Sequence, residues 1–389
     1  MRKPLLSITL FFVGAPVFAA APLYVETEIL APPGATLYAG GLNNNGDIAA
    51  TSVTNGSATG YVYLHHSHTL YALPRPFPNG SGDQVYGIND YGKVAGDSSP
   101  FGEPPQATVW YLTGGFEVLD SLGDISSATA VSNDGQVTET EYFPNNGASG
   151  AFYWAWKPSL HKVPVPLFND VATYVENTAN AINNFSHIVG DSTLSQFTSP
   201  GGPDFITGDH AYLFANGTLT DLGVLGNPDP STSLGISYAY GLNNKDDVVG
   251  QSEVSIPSAD PNCPGCVAFH AFLWHAGKLS DLGNLGHVPG WNSSATAIND
   301  VGEIVGSADA NVNNQPTSRA FVYIDGVMYN LTFMVYARDL NVRLVKPMGI
   351  NCNGWIVANG YNTATPTVNR VYLLTPKVAP IRAGCPIPK

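Results

Sequence analysis

The chain has few charged residues and no helical pattern. Asp, Glu, Lys and Arg make up 12% of its 389 residues, and no heptad or long run with the 3.6-residue period of a helix is present. These absences exclude coiled coils and helical bundles. Glycine, with 41 residues, and proline, with 30, are abundant instead. Short bursts of aromatic and β-branched residues lie between these turn formers, which predicts an all-β chain with a sizeable core.

Beyond its N-terminus the chain lacks an apolar run that could cross a membrane. At the N-terminus, Arg2 and Lys3 precede an apolar stretch over residues 5–13 and the small-residue site Val17-Phe18-Ala19. This order predicts a signal peptide over residues 1–19, because the stretch is shorter than the roughly 20 residues that span a bilayer. We therefore expect a secreted or periplasmic protein with no integral membrane segment after cleavage.

Basic residues are also scarce. Without Arg2 and Lys3, 14 of the 16 basic residues remain against 30 acidic ones, a formal charge of −16. Such a surface repels phosphate backbones and anionic headgroups, which argues against nucleic acid or a membrane surface as partner. Cations, sugars and basic proteins remain open as ligands.

The sequence also lacks the common local signatures of catalysis. It contains no G-x-S-x-G elbow, phosphate loop, dinucleotide fingerprint or H-E-x-x-H. We therefore predict no cofactor, no metal site and no catalytic residue. An enzyme whose carboxylates come from separate repeats would leave no such signature, so that alternative stays open.

The strongest positive signal is a phrase that occurs seven times. Its copies are GLNNNGDIAA at 41–50, GINDYGKVAG at 87–96, AVSNDGQVTE at 130–139, AINNFSHIVG at 181–190, GLNNKDDVVG at 241–250, AINDVGEIVG at 297–306 and GINCNGWIVA at 349–358. Each reads as two short strands joined by a turn rich in Asn, Asp and Gly. The third positions of successive copies are 46, 43, 51, 60, 56 and 52 residues apart, a period that suits a unit of about four strands.

A second hairpin follows each phrase, most clearly at 210–223 and 270–283. The seventh repeat has only a third strand, Val371 to Leu374, before a Pro-rich tail, whereas Tyr24 to Leu30 form an extra strand before the first phrase. Pairing the extra strand with the last repeat would remove exposed sheet edges. We therefore predict a seven-bladed β-propeller of four-stranded antiparallel blades over residues 20–375, closed by the N-terminal strand, with a tail over 376–389.

Further short motifs are His210-Ala211, DLGVLG at 221–226, His270-Ala271-Phe272 and DLGNLG at 281–286. In these motifs and in the seven phrases, the chain is similar to the HAF-repeat family of predicted extracellular proteins. The similarity covers the mature chain, although repeats one, two, three and seven depart from the His-Ala-Phe triplet. It implies bacterial export and repeated β-structure, and it implies no catalytic residue.

The chemically suggestive residues have structural interpretations. His210 and His270 recur at equivalent positions of separate repeats, too far apart for one metal, so we expect structural roles at strand starts. His65, His66 and His68 lie in a predicted turn that we expect to be solvated. Each Asn/Asp/Gly cluster is too short for a calcium loop and is predicted to serve the turn.

The chain has four cysteines. Cys263 and Cys266 have C-x-x-C spacing, but they lie in a loop rich in Pro, Ser and Asp with no second such pair, which argues against redox and zinc roles. An exported chain more commonly forms disulfides. We predict a Cys263–Cys266 bond within the loop and a Cys352–Cys385 bond that fixes the tail to the last repeat.

Four insertions, at 97–106, 191–209, 251–269 and 307–318, connect second and third strands and therefore share one face. Long loops often carry binding residues. The candidate contacts, including one from a connection between repeats, are Phe101, Phe197, Phe205, Trp291, Asp204, Asp209, Asp260 and Asp309. Our leading hypothesis is a monomeric, non-catalytic propeller that binds a protein or carbohydrate through this face. The alternative is a secreted polysaccharide hydrolase or lyase with carboxylates in the central funnel.

Overall fold

A computed structural model of the chain describes residues 23–119, 125–144, 147–155, 161–168, 176–197, 205–226, 234–258, 267–313, 315–336, 339 and 341–378. The predicted signal peptide and most of the predicted tail lie outside these residues. The described part is all-β, with two short 3₁₀ helices at His65–Ser67 and Leu331–Met334. No helix in it is long and apolar enough to span a membrane.

The strands form four-stranded antiparallel groups, which we call units. Unit 1 contains β2 (Thr36–Leu42), β3 (Ile48–Thr54), β4 (Ser57–Leu64) and β5 (Thr69–Ala72). Unit 2 contains β6 (Gly82–Ile88), β7 (Lys93–Ser99), β8 (Gln106–Tyr111) and β9 (Phe116–Val118). A single parallel bridge between Ala58 and Gly82 joins these two units into one eight-stranded sheet.

Four further units are separate four-stranded sheets. Unit 3 contains β10 (Ile125–Val131), β11 (Val137–Phe143), β12 (Ala148–Ala155) and β13 (His161–Pro164). Unit 4 contains β14 (Ala181–Ile182), β15 (Ile188–Phe197), β16 (Phe205–Ala215) and β17 (Thr218–Asp221). Unit 5 contains β18 (Ser237–Leu242), β19 (Val248–Pro257), β20 (Val267–His275) and β21 (Lys278–Asp281). Unit 6 contains β22 (Ser293–Ile298), β23 (Ile304–Val312), β24 (Gln315–Ile324) and β25 (Val327–Asn330).

The last sheet combines the two ends of the chain. Unit 7 contains β26 (Val342–Ile350), β27 (Ile356–Asn362) and β28 (Thr365–Pro376), and its fourth strand is β1 (Tyr24–Ile29). β1 pairs antiparallel with β28, from Tyr24 opposite Pro376 to Ile29 opposite Val371. Tyr24 and Ile29 are buried. The N-terminal strand therefore takes the place that the sequence leaves empty in the last repeat.

The core lies between neighbouring sheets. One cluster joins Val189 and Leu213 of unit 4 to Val248 and Phe272 of unit 5, and another joins Leu373 of unit 7 to residues of unit 1. Burying a side chain such as Phe272 contributes about 2–3 kcal/mol. These clusters pack neighbouring sheets against each other.

The glycine that ends several of the seven phrases has a steric reason. Gly250 lies on β19, next to a β-bulge in β18. A Cβ atom at Gly250 would lie 1.9 Å from the Tyr238 carbonyl oxygen, and one at Gly306 would lie 2.1 Å from the Ser294 carbonyl oxygen. Bulges increase local twist, so these glycines let the first strand of a unit approach the second closely.

Candidate functional site

Residues from the first strands of units 1 to 7 line shared cavities, and we call the space that these cavities form the channel. One end of the channel is formed by the turns between first and second strands, and we call it the turn side. The other end carries the connections between second and third strands and between units, and we call it the long-loop side. The turn side and the long-loop side have opposite chemistry, as the following contacts show.

On the turn side, an asparagine organises its own turn. Asn43 Oδ1 accepts hydrogen bonds from the backbone N–H groups of Asn45 at 3.0 Å and Asp47 at 2.8 Å, while Gly46 adopts a φ of 86°. Asn243 makes the same pair of contacts in unit 5. Such side-chain-to-backbone bonds are the reason that Asn is favoured in turns.

The same asparagines also join neighbouring units. Asn43 Nδ2 donates to the carbonyl oxygen of Asn89 at 3.1 Å, and Asn243 Nδ2 donates to that of Asn299 at 3.1 Å. Asn351 in unit 7 donates back to the Asn43 carbonyl oxygen at 3.2 Å. Equivalent bonds run from Asn89 to Ser132, from Asn183 to Asn243 and from Asn299 to Asn351. The repeated asparagine therefore connects units as well as shaping turns.

Units 3 and 4 are connected by a hydrogen bond from the residue that follows the repeated position. Ser132 replaces the asparagine and donates to Asp134 within its own turn. There the Asn133 backbone N–H donates to Asn184 Oδ1 at 2.9 Å. Between units 7 and 1, the Cys352 N–H likewise donates to Asn44 Oδ1 at 3.0 Å. The turn-side amides are thus engaged with one another.

Six aliphatic side chains lie beneath this network, at the level where two cavities of the channel adjoin. They line a turn-side cavity of about 220 Å³ and also a central cavity of about 690 Å³ that lies further toward the long-loop side. We call them the aliphatic belt: Leu42, Ile88, Val131, Leu242, Ile298 and Ile350. Because the same side chains border both cavities, the belt marks the level at which the two cavities meet.

The central cavity is polar above the belt. Tyr240, Gln251, Ser294 and Lys346 line it, and none of these side chains has a hydrogen-bond or ion-pair partner in the described part of the chain. Tyr86 also lines it, but its hydroxyl donates to Asp97 Oδ2 at 2.6 Å. The cavity therefore presents several polar groups that are available to a ligand.

Carboxylates and tyrosines meet where units 4 and 5 adjoin on the long-loop side. We call Glu176, Asp191, Asp209, Tyr238 and Tyr240 the acid–tyrosine cluster. Asp191 Oδ1 accepts from Thr178 Oγ1 at 2.6 Å, and Asp209 Oδ1 accepts from Thr193 Oγ1 at 2.9 Å. The Glu176 backbone N–H donates to the same Thr193 oxygen at 2.9 Å. Two threonines of unit 4 thus position its carboxylates.

The aromatic part of the cluster comes from unit 5. Tyr238 and Tyr240 project from the same side of β18, with ring centroids 6.4 Å apart and planes inclined by 17°. Phe269 on β20 continues the series, 6.5 Å from Tyr238 at 19°. Parallel aromatic rings of this kind offer faces against which an apolar sugar face can stack.

The members of the cluster influence one another's pKa values. Burial raises the pKa of Asp191 to about 6, opposed by the hydrogen bond from Thr178 and reinforced by Asp209 and Glu176. Burial and the charges of Asp209, Asp191 and Glu176 raise the pKa of Tyr238 to about 12. Burial together with Asp191 also raises the pKa of Tyr240. Perturbed groups beside a cavity identify a candidate site.

The repeated histidines lie away from the channel lining. His210 Nδ1 lies 2.9 Å from the Asp221 carboxylate, and its Nε2 lies 2.9 Å from the Leu234 carbonyl oxygen. His270 contacts Asp281 at 2.9 Å and the Pro289 carbonyl oxygen at 3.2 Å. The His and the Asp of the DLG phrase therefore fix the connection to the next unit. In unit 1, His65 packs against Trp355, with ring centroids 4.6 Å apart.

No group of three or more His, Cys, Asp or Glu within the described ranges could hold a metal ion. Cys263, Cys266 and Cys385 lie outside those ranges, so both disulfide pairings stay predictions.

The predicted contact residues that the structure describes have different surroundings. Phe101 is 82% exposed, and Asp209 belongs to the acid–tyrosine cluster. Asp309 Oδ2 instead accepts from the Asn292 N–H at 2.8 Å and orders a connection between units. Phe197 lies on β15 and Phe205 on β16, but their side chains lie outside the described part of the chain. Asp204 and Asp260 lie entirely outside it.

Trp291, one of the predicted contact residues, is buried instead of lying on the surface. Its side chain is 7% exposed, and a Cβ atom at Gly286 would lie 2.2 Å from its ring. The DLGNLG phrase thus folds back over the indole. The insertions at 191–209 and 307–318 also differ from simple loops, because β15, β16, β23 and β24 extend into them.

Comparison with known proteins gives the fold. No protein-family model and no curated protein matches the chain. Among solved structures, it is similar to the β-propeller domain of the Trilobed protease from Pyrococcus furiosus, with a TM-score of 0.55 and 10% identity over 87% of this chain and 95% of that one. The fold is a β-propeller.

Two enzymes contain similar propellers. Oligogalacturonate lyase from Vibrio parahaemolyticus matches with a TM-score of 0.52 and 9% identity over 90% of this chain and 93% of that one. Pyrococcus horikoshii acylaminoacyl peptidase matches with a TM-score of 0.51 and 11% identity, over 87% of this chain and 51% of that one. Identities this low establish the shared propeller fold and nothing of the chemistry.

Proposed function

We propose that the seven units are the blades of a closed propeller. Three contacts between the chain ends support closure: β1 pairs with β28, Asn351 donates to Asn43, and the Ala39 N–H donates to Asn359 Oδ1 at 3.0 Å. Closure pairs β28 with β1 and so removes the edge that β28 would otherwise expose.

We further propose that this exported protein cleaves a polysaccharide at the acid–tyrosine cluster, as a hydrolase or a lyase. The observation that carries this proposal is the convergence of Glu176, Asp191 and Asp209 on Tyr238, with Asp191 also acting on Tyr240, which lines the central cavity. Converging acids beside the cavity are the feature that favours the catalytic hypothesis over simple binding. A lyase among the proteins of similar fold is consistent with it.

Each residue has a role in the proposed reaction. In hydrolysis, Asp191 would protonate the glycosidic oxygen as its bond to the anomeric carbon breaks, while Asp209 takes a proton from the attacking water. In elimination, a carboxylate would remove the proton α to a uronate carboxyl group, a C4–C5 double bond would form as the C4–O bond breaks, and the leaving oxygen would take a proton from water. Tyr238 would stack against the sugar ring in either case.

A polysaccharide screen tests this proposal. Mature protein is incubated with neutral, amino and uronate polysaccharides, and new reducing ends and absorbance from unsaturated products are measured. We expect cleavage of one substrate and at least a hundredfold loss in Asp209→Asn, which keeps an oxygen for Thr193. Asp325→Asn, in an exposed hairpin turn, is the matched control and should retain activity. An active Asp209→Asn variant would contradict the proposed role of Asp209.

A second candidate function is non-catalytic binding of a protein or carbohydrate by the long-loop side. The exposure of Phe101 favours it, because isolated exposed aromatics often anchor partners. Ligand binding that is lost in Phe101→Ala, without turnover of any polysaccharide, would support this function over the catalytic one.

Other features also remain proposals. We propose export by a signal peptide, membership of the HAF-repeat family, a monomeric state, and the Cys263–Cys266 and Cys352–Cys385 disulfides. Among the cysteines within the described ranges none is free. Mass spectrometry of the secreted protein under non-reducing conditions would test the cleavage site and both pairings.

A further inference from the structure

The central cavity meets the turn-side cavity at the level of the aliphatic belt. Beneath the belt the asparagines are hydrogen-bonded from unit to unit. We infer that a ligand enters from the long-loop side and that its end rests against the belt, so that the cavity holds the end of a chain.

The free polar groups of the cavity occupy one arc of its wall. Tyr240 and Gln251 belong to unit 5, Ser294 belongs to unit 6 and Lys346 belongs to unit 7. Other wall hydroxyls hold neighbouring units together: Thr296 donates to the Pro347 carbonyl oxygen at 2.8 Å, and Ser307 donates to that of Val345 at 2.9 Å. The wall thus has structural hydroxyls and a separate set that can serve a ligand.

Lys346 determines which ligand charge suits this arc. It is the one Lys or Arg in the described lining of the central cavity, and it is exposed and forms no ion pair with a described residue. The buried Asp191 lies on unit 4, whereas Lys346 lies on unit 7. An ammonium group without a partner favours a carboxylate, to which it can donate charge-assisted hydrogen bonds.

We propose that the central cavity binds the terminal uronic acid of a polysaccharide chain, with its carboxylate at Lys346 and its hydroxyls at Gln251 and Ser294. Tyr240 provides the aromatic face. A volume of about 690 Å³ falls within the range of about 300–1,000 Å³ that small-molecule sites occupy, and it suits about two sugar residues. This proposal rests on the proposed function, since it names the substrate class and the binding mode of the cavity that adjoins the acid–tyrosine cluster at Tyr240.

Oligomers of galacturonate and of glucuronate, one to four residues long, are the probes, and isothermal titration calorimetry is the measurement. We expect affinity to rise from monomer to dimer and to change less than about twofold from dimer to tetramer, because only the end is enclosed. Lys346→Met should weaken binding about tenfold. Lys278→Met, on the exposed outer strand β21, is the matched control and should bind normally.

A second variant tests the cavity itself. Ser294→Trp should fill the arc and abolish binding, with folding verified by circular dichroism. Absence of binding by every probe, affinity that keeps rising to the tetramer, or unchanged binding in Lys346→Met would each overturn the proposal. Cleavage of a neutral polysaccharide with no uronate binding would refute this inference and leave the proposed function intact. Binding of uronate ends without cleavage of any polysaccharide would refute the proposed function and leave this inference intact.

Discussion

The two ends of the channel are built from the same repeats, yet they use polar side chains in opposite ways. On the turn side, the side-chain amides of Asn43 and Asn243 use both the oxygen and the nitrogen in hydrogen bonds within the protein. On the long-loop side, Tyr240 and Gln251 have no hydrogen-bond partner in the described chain, and Asp191 has a perturbed pKa. The difference teaches that residues repeated from unit to unit serve the structure here, whereas residues that depart from the repeat form the candidate site.

The comparison requires all units to surround one channel, and removing the contact between the chain ends breaks that arrangement. Tyr24→Ser with Ile29→Ser should lower the free energy of unfolding by about 5 kcal/mol, because both side chains are buried against the last sheet. Urea denaturation measures the loss. Val25→Ser with Leu30→Ser, at exposed positions of the same segment, is the control; equal losses in both variants would show that β1 contributes no specific packing.

The turn side should be sensitive in stability and insensitive in activity. Asn243→Ala removes the donor to the Asn299 carbonyl oxygen and the acceptor for two turn N–H groups. We expect a loss of about 3 kcal/mol, since buried groups lose their partners. Ligand affinity of the folded variant, measured by calorimetry, should be unchanged.

A natural contrast sharpens this prediction. Ser132 occupies the equivalent position in unit 3 and bonds within its own turn, so Ser132→Ala should cost less than Asn243→Ala. Similar losses at the two positions would mean that bonds between units contribute little.

The long-loop side also has a structural element, the His–Asp pair, and its pH dependence should identify it. Although burial favours the neutral ring, Asp281 raises the pKa of His270, and His270 in turn lowers the pKa of Asp281 against the effect of burial. The contribution of His270 is complete below its unfolded pKa of about 6.5 and is lost as pH rises through the raised value. The contribution of Asp281 is present above about 3.8 and is lost as pH falls through the lowered value.

His270→Gln should therefore cost about 1 kcal/mol near pH 5.5 and less near pH 9. This figure is small because the Asp281 side chain is 45% exposed. Unfolding at both pH values measures the effect, with the exposed His66→Gln as control. A cost that grows with pH would contradict the assigned charge states.

Most of the fold could be predicted from the sequence because its signals are local. The seven phrases, their hairpin turns and the extra strand at Tyr24–Leu30 are all visible as short alternating patterns. The structural role of His210 could be predicted because the residue recurs. By contrast, the bonds from the asparagines reach residues 43 to 60 positions away, or 308 positions for Asn351. The sequence therefore supports the turn interpretation and does not reveal the connection between units.

Most of the candidate site could not be predicted, because its residues are also far apart in the sequence. Asp209 was predicted from its long insertion, but Asp191 and Tyr238 come from different units and meet only after folding. The signal that could have found them is the repeat alignment: Asp191 stands where units 5 and 6 have Gln251 and Ser307. Trp291 misled because it follows a Gly- and Pro-rich connection, which folds over the ring instead of exposing it.

The pH dependence of kcat/KM, in the unmodified protein and in Asp191→Asn, tests the central claim most directly. If Asp191 donates the proton in hydrolysis, kcat/KM falls as pH rises through about 6; if it is the base of an elimination, kcat/KM rises there. The account predicts one of these transitions in the unmodified protein and its absence from Asp191→Asn. A profile without a transition near pH 6, or the same transition in both proteins, would contradict it.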